Sequence, residues 1–135
     1  MKMSIEFCMD DCWVLLSIPN NPIGGLLHEI IGMSDAVNHA IPTEKELLNG
    51  LNKGLQAGFI ELEKDRFYLT SIFKEIHTAT FDSKGGLFTK IETLFKLLRQ
   101  KKHIKQNEKF IKLAPNEYKS ACQKYSEEFM STYES

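Results

Sequence analysis

Cysteine is scarce and odd in number, with Cys8, Cys12 and Cys122 alone. That excludes a disulfide framework and points to a reducing compartment, in which Cys8 and Cys12 read as small buried hydrophobes. No apolar run, the stretch from Trp13 to Leu16 included, approaches the roughly 18 residues a membrane span needs. The first residues include an acidic group where a signal peptide needs a basic and then apolar stretch. A soluble cytoplasmic protein without a membrane partner is the expectation. The chain also lacks chemistry. His28, His39, His77 and His103 never join the cysteines in a metal-binding spacing, and Cys8, Cys12 and His28 together fall short of a closed four-ligand site. No cysteine carries a flanking signature of an activated thiol, and Gly24-Gly25 and Gly85-Gly86 lack the partners of a phosphate loop, so they read as turns. No catalytic residue, metal or cofactor is expected, and the chain does not read as an enzyme.

What is present is an ordinary globular mixture, 42% hydrophobic and 26% charged over 135 residues, enough for a single domain spanning 1–135 with one real core. The net charge of −1 hides an asymmetry. Residues 1–70 carry five Lys+Arg against ten Asp+Glu, a net of −5, whereas residues 84–112 carry nine Lys+Arg against Glu92 and Glu108, a net of +7. Nucleic-acid affinity follows local charge, so a total near zero does not exclude it.

Along the chain, Asp10 or Asp11 is placed to cap a first helix through about Ile18, which Pro19-Asn20-Asn21-Pro22 ends. A second helix is expected over about 26–31, with Leu27, Ile30 and Ile31 on one side. Gly32 and Ser34-Asp35 break or redirect it, and 35–40 supplies at most another turn. The third has the clearest start. Thr43 is the N-cap, with Glu46 three residues on forming a capping box, and Leu47, Leu48, Leu51 and Leu55 define its buried face. Gly50 and Gly54 each weaken that helix by about 1 kcal/mol relative to Ala but permit close approach of a neighbour. Gly58 suits a left-handed helix end.

The period then changes to two. Ile60 and Leu62 alternate with Glu61 and Glu63, Lys64-Asp65 turn the chain, and Phe67 and Leu69 flank Tyr68, the pattern of a hairpin without the usual Asn-Gly or Asp-Gly turn. Thr70 is positioned to cap a helix bearing Ile72, Phe73 and Ile76, interrupted at 81–86. A stripe of Leu87, Phe88, Ile91, Leu94, Phe95 and Leu98 follows, and then the basic stretch from Arg99 to Lys105. A last helix from about Pro115 to Tyr133 puts Tyr118, Ala121, Cys122, Tyr125 and Phe129 on one side.

The order helix, helix, helix, hairpin over 10–70 is that of a winged helix-turn-helix. It resembles the winged-helix regulators of the multiple-antibiotic-resistance and phenolic-acid types in its Leu-rich third helix, the passage Leu55-Gln56-Ala57-Gly58-Phe59-Ile60 into the wing, and the closing Leu69-Thr70. The run HEIIGMSDAVNHAIPTEKEL also resembles a group of small bacterial proteins with no assigned activity, so that likeness implies none. The fold class expected is mainly α with a small β-hairpin: a winged helix-turn-helix over 10–70, with a C-terminal helical extension over 71–135. Two departures stand out. The segment 32–41 is longer than the usual tight turn, and the wing carries Glu61, Glu63 and Asp65 beside Lys64 and Arg66, where a phosphate-gripping wing is normally cationic.

The resemblance implies a transcriptional regulator that binds double-stranded DNA, with 43–57 in the major groove and 59–70 as the wing. The side of the third helix opposite its leucines presents Lys45, Asn49, Asn52, Lys53 and Gln56, where amides can pair with adenine and lysines with guanine or phosphate. Lys64 and Arg66 are the wing's candidate backbone contacts. Equally, a polar row is what any solvated helix face shows, and Glu44 and Glu46 would repel phosphates. Arg99, Lys101, Lys102 and Lys105 either hold further phosphates or form a solvated helix end. The apolar stripe over 87–98 either joins the core or forms the seam of a homodimer. A second reading is a winged-helix interaction module that uses its acidic N-terminal half to dock a protein and has no DNA role.

Overall fold

The computed structural model describes residues 3–134. Its order is β1 (Ser4–Ile5), α1 (Met9–Leu16), α2 (Leu27–Asn38), α3 (Glu44–Gln56), β2 (Ile60–Glu63), β3 (Arg66–Leu69), α4 (Ser71–Asp82), α5 (Leu87–Arg99), β4 (His103–Ile104) and α6 (Glu117–Glu134). The protein is mainly helical. β2 and β3 form an antiparallel hairpin, and β1 pairs antiparallel with β4, tying the N-terminal segment to the chain beyond α5. None of the described helices is long and apolar enough to cross a membrane.

α1 is the central helix, with every residue from Asp11 to Ile18 buried in and just beyond it. Its start differs from the sequence expectation. Cys8 is the N-cap and is exposed, not buried, while Asp11 sits one turn in and its Oδ2 accepts the Cys8 N–H at 2.9 Å. Cys12 is buried as expected, and burial pushes its thiol up to about 12. α3 crosses α1 at very short range, because an added Cβ at Gly50 would lie 2.7 Å from Val14 Cβ and one at Gly54 2.6 Å from Leu15 Cδ2. The helix weakness of those glycines is thus offset by packing that no larger residue allows. Leu47, Leu51 and Leu55 are buried there, and Leu48 is half-buried at the edge.

α2 runs unbroken from 27 to 38, where the sequence suggested a break at Gly32 and Ser34-Asp35. Ser34 Oγ donates back to the Ile30 carbonyl at 2.8 Å instead of competing with the helix, and the Ser34 carbonyl accepts the Trp13 indole N–H at 2.8 Å. Gly32 is required by a neighbour, since a Cβ there would meet the Tyr125 ring of α6 at 2.8 Å. The capping box at α3 is present in full, Glu46 N to Thr43 Oγ1 at 3.1 Å and Thr43 N to Glu46 Oε1 at 2.8 Å.

Gly58 adopts φ +76° as expected, and the hairpin turns through Lys64 and Asp65, both left-handed at φ 49° and 68°. This is the tight two-residue connection, made without glycine. Gly25 bridges the hairpin on its β3 side, exchanging backbone bonds with Phe67 at 2.9 and 2.8 Å. Thr70 precedes α4 but does not cap it with its hydroxyl. The Oγ1 donates instead to the carbonyls of Gly58 at 2.7 Å and Phe59 at 3.1 Å, locking the hairpin's exit to its entry. Phe59 then stacks between Phe7 at 5.4 Å and Phe73 at 4.8 Å, joining the N-terminal segment, the hairpin and α4 in one aromatic column.

The α5 stripe divides. Ile91, Leu94 and Leu98 join the core and Phe95 is half-buried, whereas Leu87 and Phe88 are exposed. α6 packs on α2, with Tyr125 Oη donating to Asp35 Oδ2 at 2.6 Å and Tyr118 Oη donating to the Pro42 carbonyl.

Two measurements check this packing. Gly50→Ala gains about 1 kcal/mol of helix propensity but loses about 1–3 kcal/mol to overpacking against Val14. Urea titration is therefore expected to show a net loss of stability, not a gain. His77, buried on α4 with Nε2 3.1 Å from the Leu16 carbonyl, has its pKa lowered by burial, against backbone hydrogen bonding that raises it. A depressed histidine contributes stability that is complete above the unfolded value near 6.5 and is lost as pH falls toward the folded value. Stability should decline below pH 6.5, and the decline in that window should flatten in His77→Gln.

Candidate interaction face

The side of α3 opposite its leucines is where the sequence placed the chain's contacting groups, and the structure puts most of them to use inside the protein. Asn52 is only 7% exposed. Its Nδ2 donates to the Ile111 carbonyl at 3.1 Å and its Oδ1 accepts the Ile111 N–H at 2.7 Å, so both functions of one amide are satisfied by one residue of a distant segment. One turn on, Gln56 Nε2 donates to the Lys109 carbonyl at 3.0 Å. The end of the helix is closed by the same segment, with Gln106 N donating to the Gln56 carbonyl at 2.7 Å and Asn107 Nδ2 to the Leu55 carbonyl at 2.9 Å. These last two bonds satisfy carbonyls that a helix end leaves without intrahelical partners.

Residues 105–113 therefore form an extended strap along α3, held at one end by β4 against β1 and at the other by α6 against α2. Ile111 is half-buried, while Phe110 is 61% exposed. A groove of about 510 Å³ runs between strap and helix, lined among others by Glu44, Leu48, Asn49, Phe110 and Lys112.

Lys53 is also engaged. Its Nζ lies 2.6 Å from Asp11 Oδ2, and the Asp11 side chain is 1% exposed against 35% for Lys53. Arg66 sits 3.6 Å from Glu29 Oε1. Of the seven residues singled out in the sequence, Asn52, Gln56 and Lys53 have partners within the chain, Arg66 has an acidic neighbour, and Lys45, Asn49 and Lys64 are exposed. Asn52 and Gln56 face the strap, not open solvent, because an extended backbone offers them the peptide groups that base edges would otherwise have to supply.

Three of the four cations of the basic stretch after α5 gather at one cleft, and Lys105 stands apart. Arg99, Lys101 and Lys102 line a cleft of about 820 Å³ over Phe7, Phe95 and Leu98, with the Arg99 guanidinium 5.3 Å from the Phe95 ring centre. Lys105 pairs with Glu108 at 2.7 Å. Among the described residues no group of three or more His, Cys, Asp or Glu is arranged to hold a metal ion.

Sequence reading identified one side of this contact and missed the other. Gln106, Asn107 and Ile111 carry no periodicity or motif, and the only warning is that 105–116 is a long stretch without regular structure inside a small domain, a length that is commonly functional. No family model, no curated protein and no solved structure matches the chain.

The Asp11–Lys53 pair gives a direct check. Lys53→Met leaves a buried carboxylate with only the Cys8 amide for company, which is expected to cost about 1–3 kcal/mol in urea unfolding, at the low end because the lysine is partly solvated. Asp11→Asn added to Lys53→Met should recover part of that loss, since the stranded charge is then gone.

Proposed function

We propose that this chain is a winged-helix protein-interaction module that does not read duplex DNA through α3. The observation that carries the reading is the Asn52 amide, which donates to and accepts from Ile111 under the strap, with Gln56 and Lys53 committed beside it. A recognition helix needs those groups free at the groove, and freeing them here means stripping off a segment anchored at both ends. The wing adds support, because Glu61, Glu63 and Asp65 are exposed at the place where phosphates would have to lie. Binding and positioning are the whole of the chemistry proposed, in a cytoplasmic setting.

The regulator reading keeps one specific observation in its favour, the exposure of Lys45, Asn49 and Lys64 on the helix and wing. Titration with a random-sequence duplex at two salt concentrations separates the two. The interaction module is expected to give no salt-dependent binding. A DNA-binding regulator gives a log-log salt slope of about −0.9 for each phosphate neutralised, and a slope of that kind would overturn the reading.

A further inference from the structure

We propose, resting on the interaction-module reading, that the cleft between the end of α5 and β1 receives an acidic segment of a partner protein, with carboxylates on Arg99, Lys101 and Lys102 and an apolar side chain against the cleft's apolar wall.

The walls of this cleft are held in place by the fold. The β1–β4 ladder ends at the pair Ile5 and His103, and beyond it the two chains part, with Glu6 and Phe7 on one side and Arg99 to Lys102 on the other. His103 fixes the second wall, its Nε2 2.7 Å from the Leu98 carbonyl at the end of α5 and its ring at right angles to Phe7, centres 5.5 Å apart. The opening of about 820 Å³ is therefore shaped in advance, which spares a ligand the cost of ordering it.

Charge sets the class of ligand. Three cations line the cleft against the single carboxylate of Glu6, and among the described residues none of the three lies in ion-pairing range of an acid, whereas Lys53, Arg66, Lys96 and Lys105 each have one. The negative pole of α5 accounts for Arg99, in the last turn, but Lys101 and Lys102 lie beyond it. Arg99 is also oriented. Its guanidinium lies over the Phe95 ring, which leaves the N–H edge for a two-point bond with a carboxylate. Ile5, Phe7, Phe95 and Leu98 make the rest of the lining largely apolar, so an inorganic anion would leave it in contact with water, while a peptide brings an apolar side chain along with its acids. A single-stranded nucleic acid would need open aromatic faces. Here Arg99 lies over Phe95, and Phe7 is buried against Phe59.

The test uses the full chain and a fluorescein-labelled peptide of sequence GEEFEEG, read by anisotropy. Binding is expected to weaken about tenfold in Arg99→Gln, the loss of one charge-assisted bond, and at least as much in Lys101→Gln combined with Lys102→Gln. All three side chains are exposed, so these variants keep the fold. Arg99→Lys should recover only part of the loss, because a lysine keeps the charge and not the two-point geometry. The peptide GQQFQQG should not bind, and GEEAEEG should bind more weakly than GEEFEEG. Lys45→Gln combined with Lys64→Gln, which removes exposed cations outside the cleft, should change nothing. Equal weakening by that pair, equal binding of GEEAEEG, or preference of the same three cations for an oligothymidylate would each overturn the proposal. If GEEFEEG does not bind, the cleft proposal falls and the interaction-module reading stands. Salt-dependent duplex binding that survives removal of the cleft cations brings down that reading alone.

Discussion

A carboxamide presents an N–H donor and a carbonyl acceptor side by side on one edge, and Asn52 turns that edge on Ile111, 59 residues further along the chain, donating to its carbonyl and accepting from its N–H. The bond pair sits on a helix whose other face is buried on α1, so the chain is held to α3 from both sides. From it follow the path of the strap, the closing of the α3 C-terminus by Gln106 and Asn107, and the start of α6 beside the beginning of α3, where Tyr118 reaches the Pro42 carbonyl. Leaving one buried partner unsatisfied costs about 1–3 kcal/mol, more than a hydrogen bond ordinarily contributes. The contact thus fixes where the strap goes more strongly than it stabilises the whole.

Fold elements were legible in the sequence wherever the signal is local. The capping box at Thr43, Leu47, Leu51 and Leu55 of α3, the left-handed Gly58 and the inward Ile60, Phe67 and Leu69 are short-range physics, and each stands at the position expected, whereas Leu62, which the alternation also turns inward, is exposed near the hairpin's tip beside Glu61 and Glu63. Readings failed where a distant neighbour decides. Gly32 signals a break when its surroundings are unknown, and is instead the hollow that accepts Tyr125, so α2 continues through it. Asp11 looks like a cap residue, but Lys53, 42 residues away, draws its carboxylate inward while Cys8 takes the cap. Thr70 likewise turns from the helix it precedes to the carbonyls of Gly58 and Phe59.

The candidate site shows the same limit. Sequence spacing placed Lys45, Asn49, Asn52, Lys53 and Gln56 on one side of one helix, and all five line the groove between α3 and the strap. Nothing local says what a polar face touches, because an amide has the same donor and acceptor for a base edge, a peptide or water. The information lies in the stretch after β4, whose lack of periodicity hides the fact that it lies flat along α3. The division of charge between the two halves of the chain does not supply it either, because α3 under the strap is balanced, Glu44 and Glu46 against Lys45 and Lys53, and Lys105 of the strap pairs with Glu108 of the strap itself.

The central claim, that an Asn52–Ile111 amide pair holds the strap on α3, is tested most directly by amide hydrogen exchange at Ile111. The account predicts that this N–H is protected in the unaltered chain and loses its protection in Asn52→Ala, while the amides of Leu15 and Leu16 in α1 keep theirs. Exchange of the Ile111 amide at the unprotected rate in the unaltered chain would contradict it.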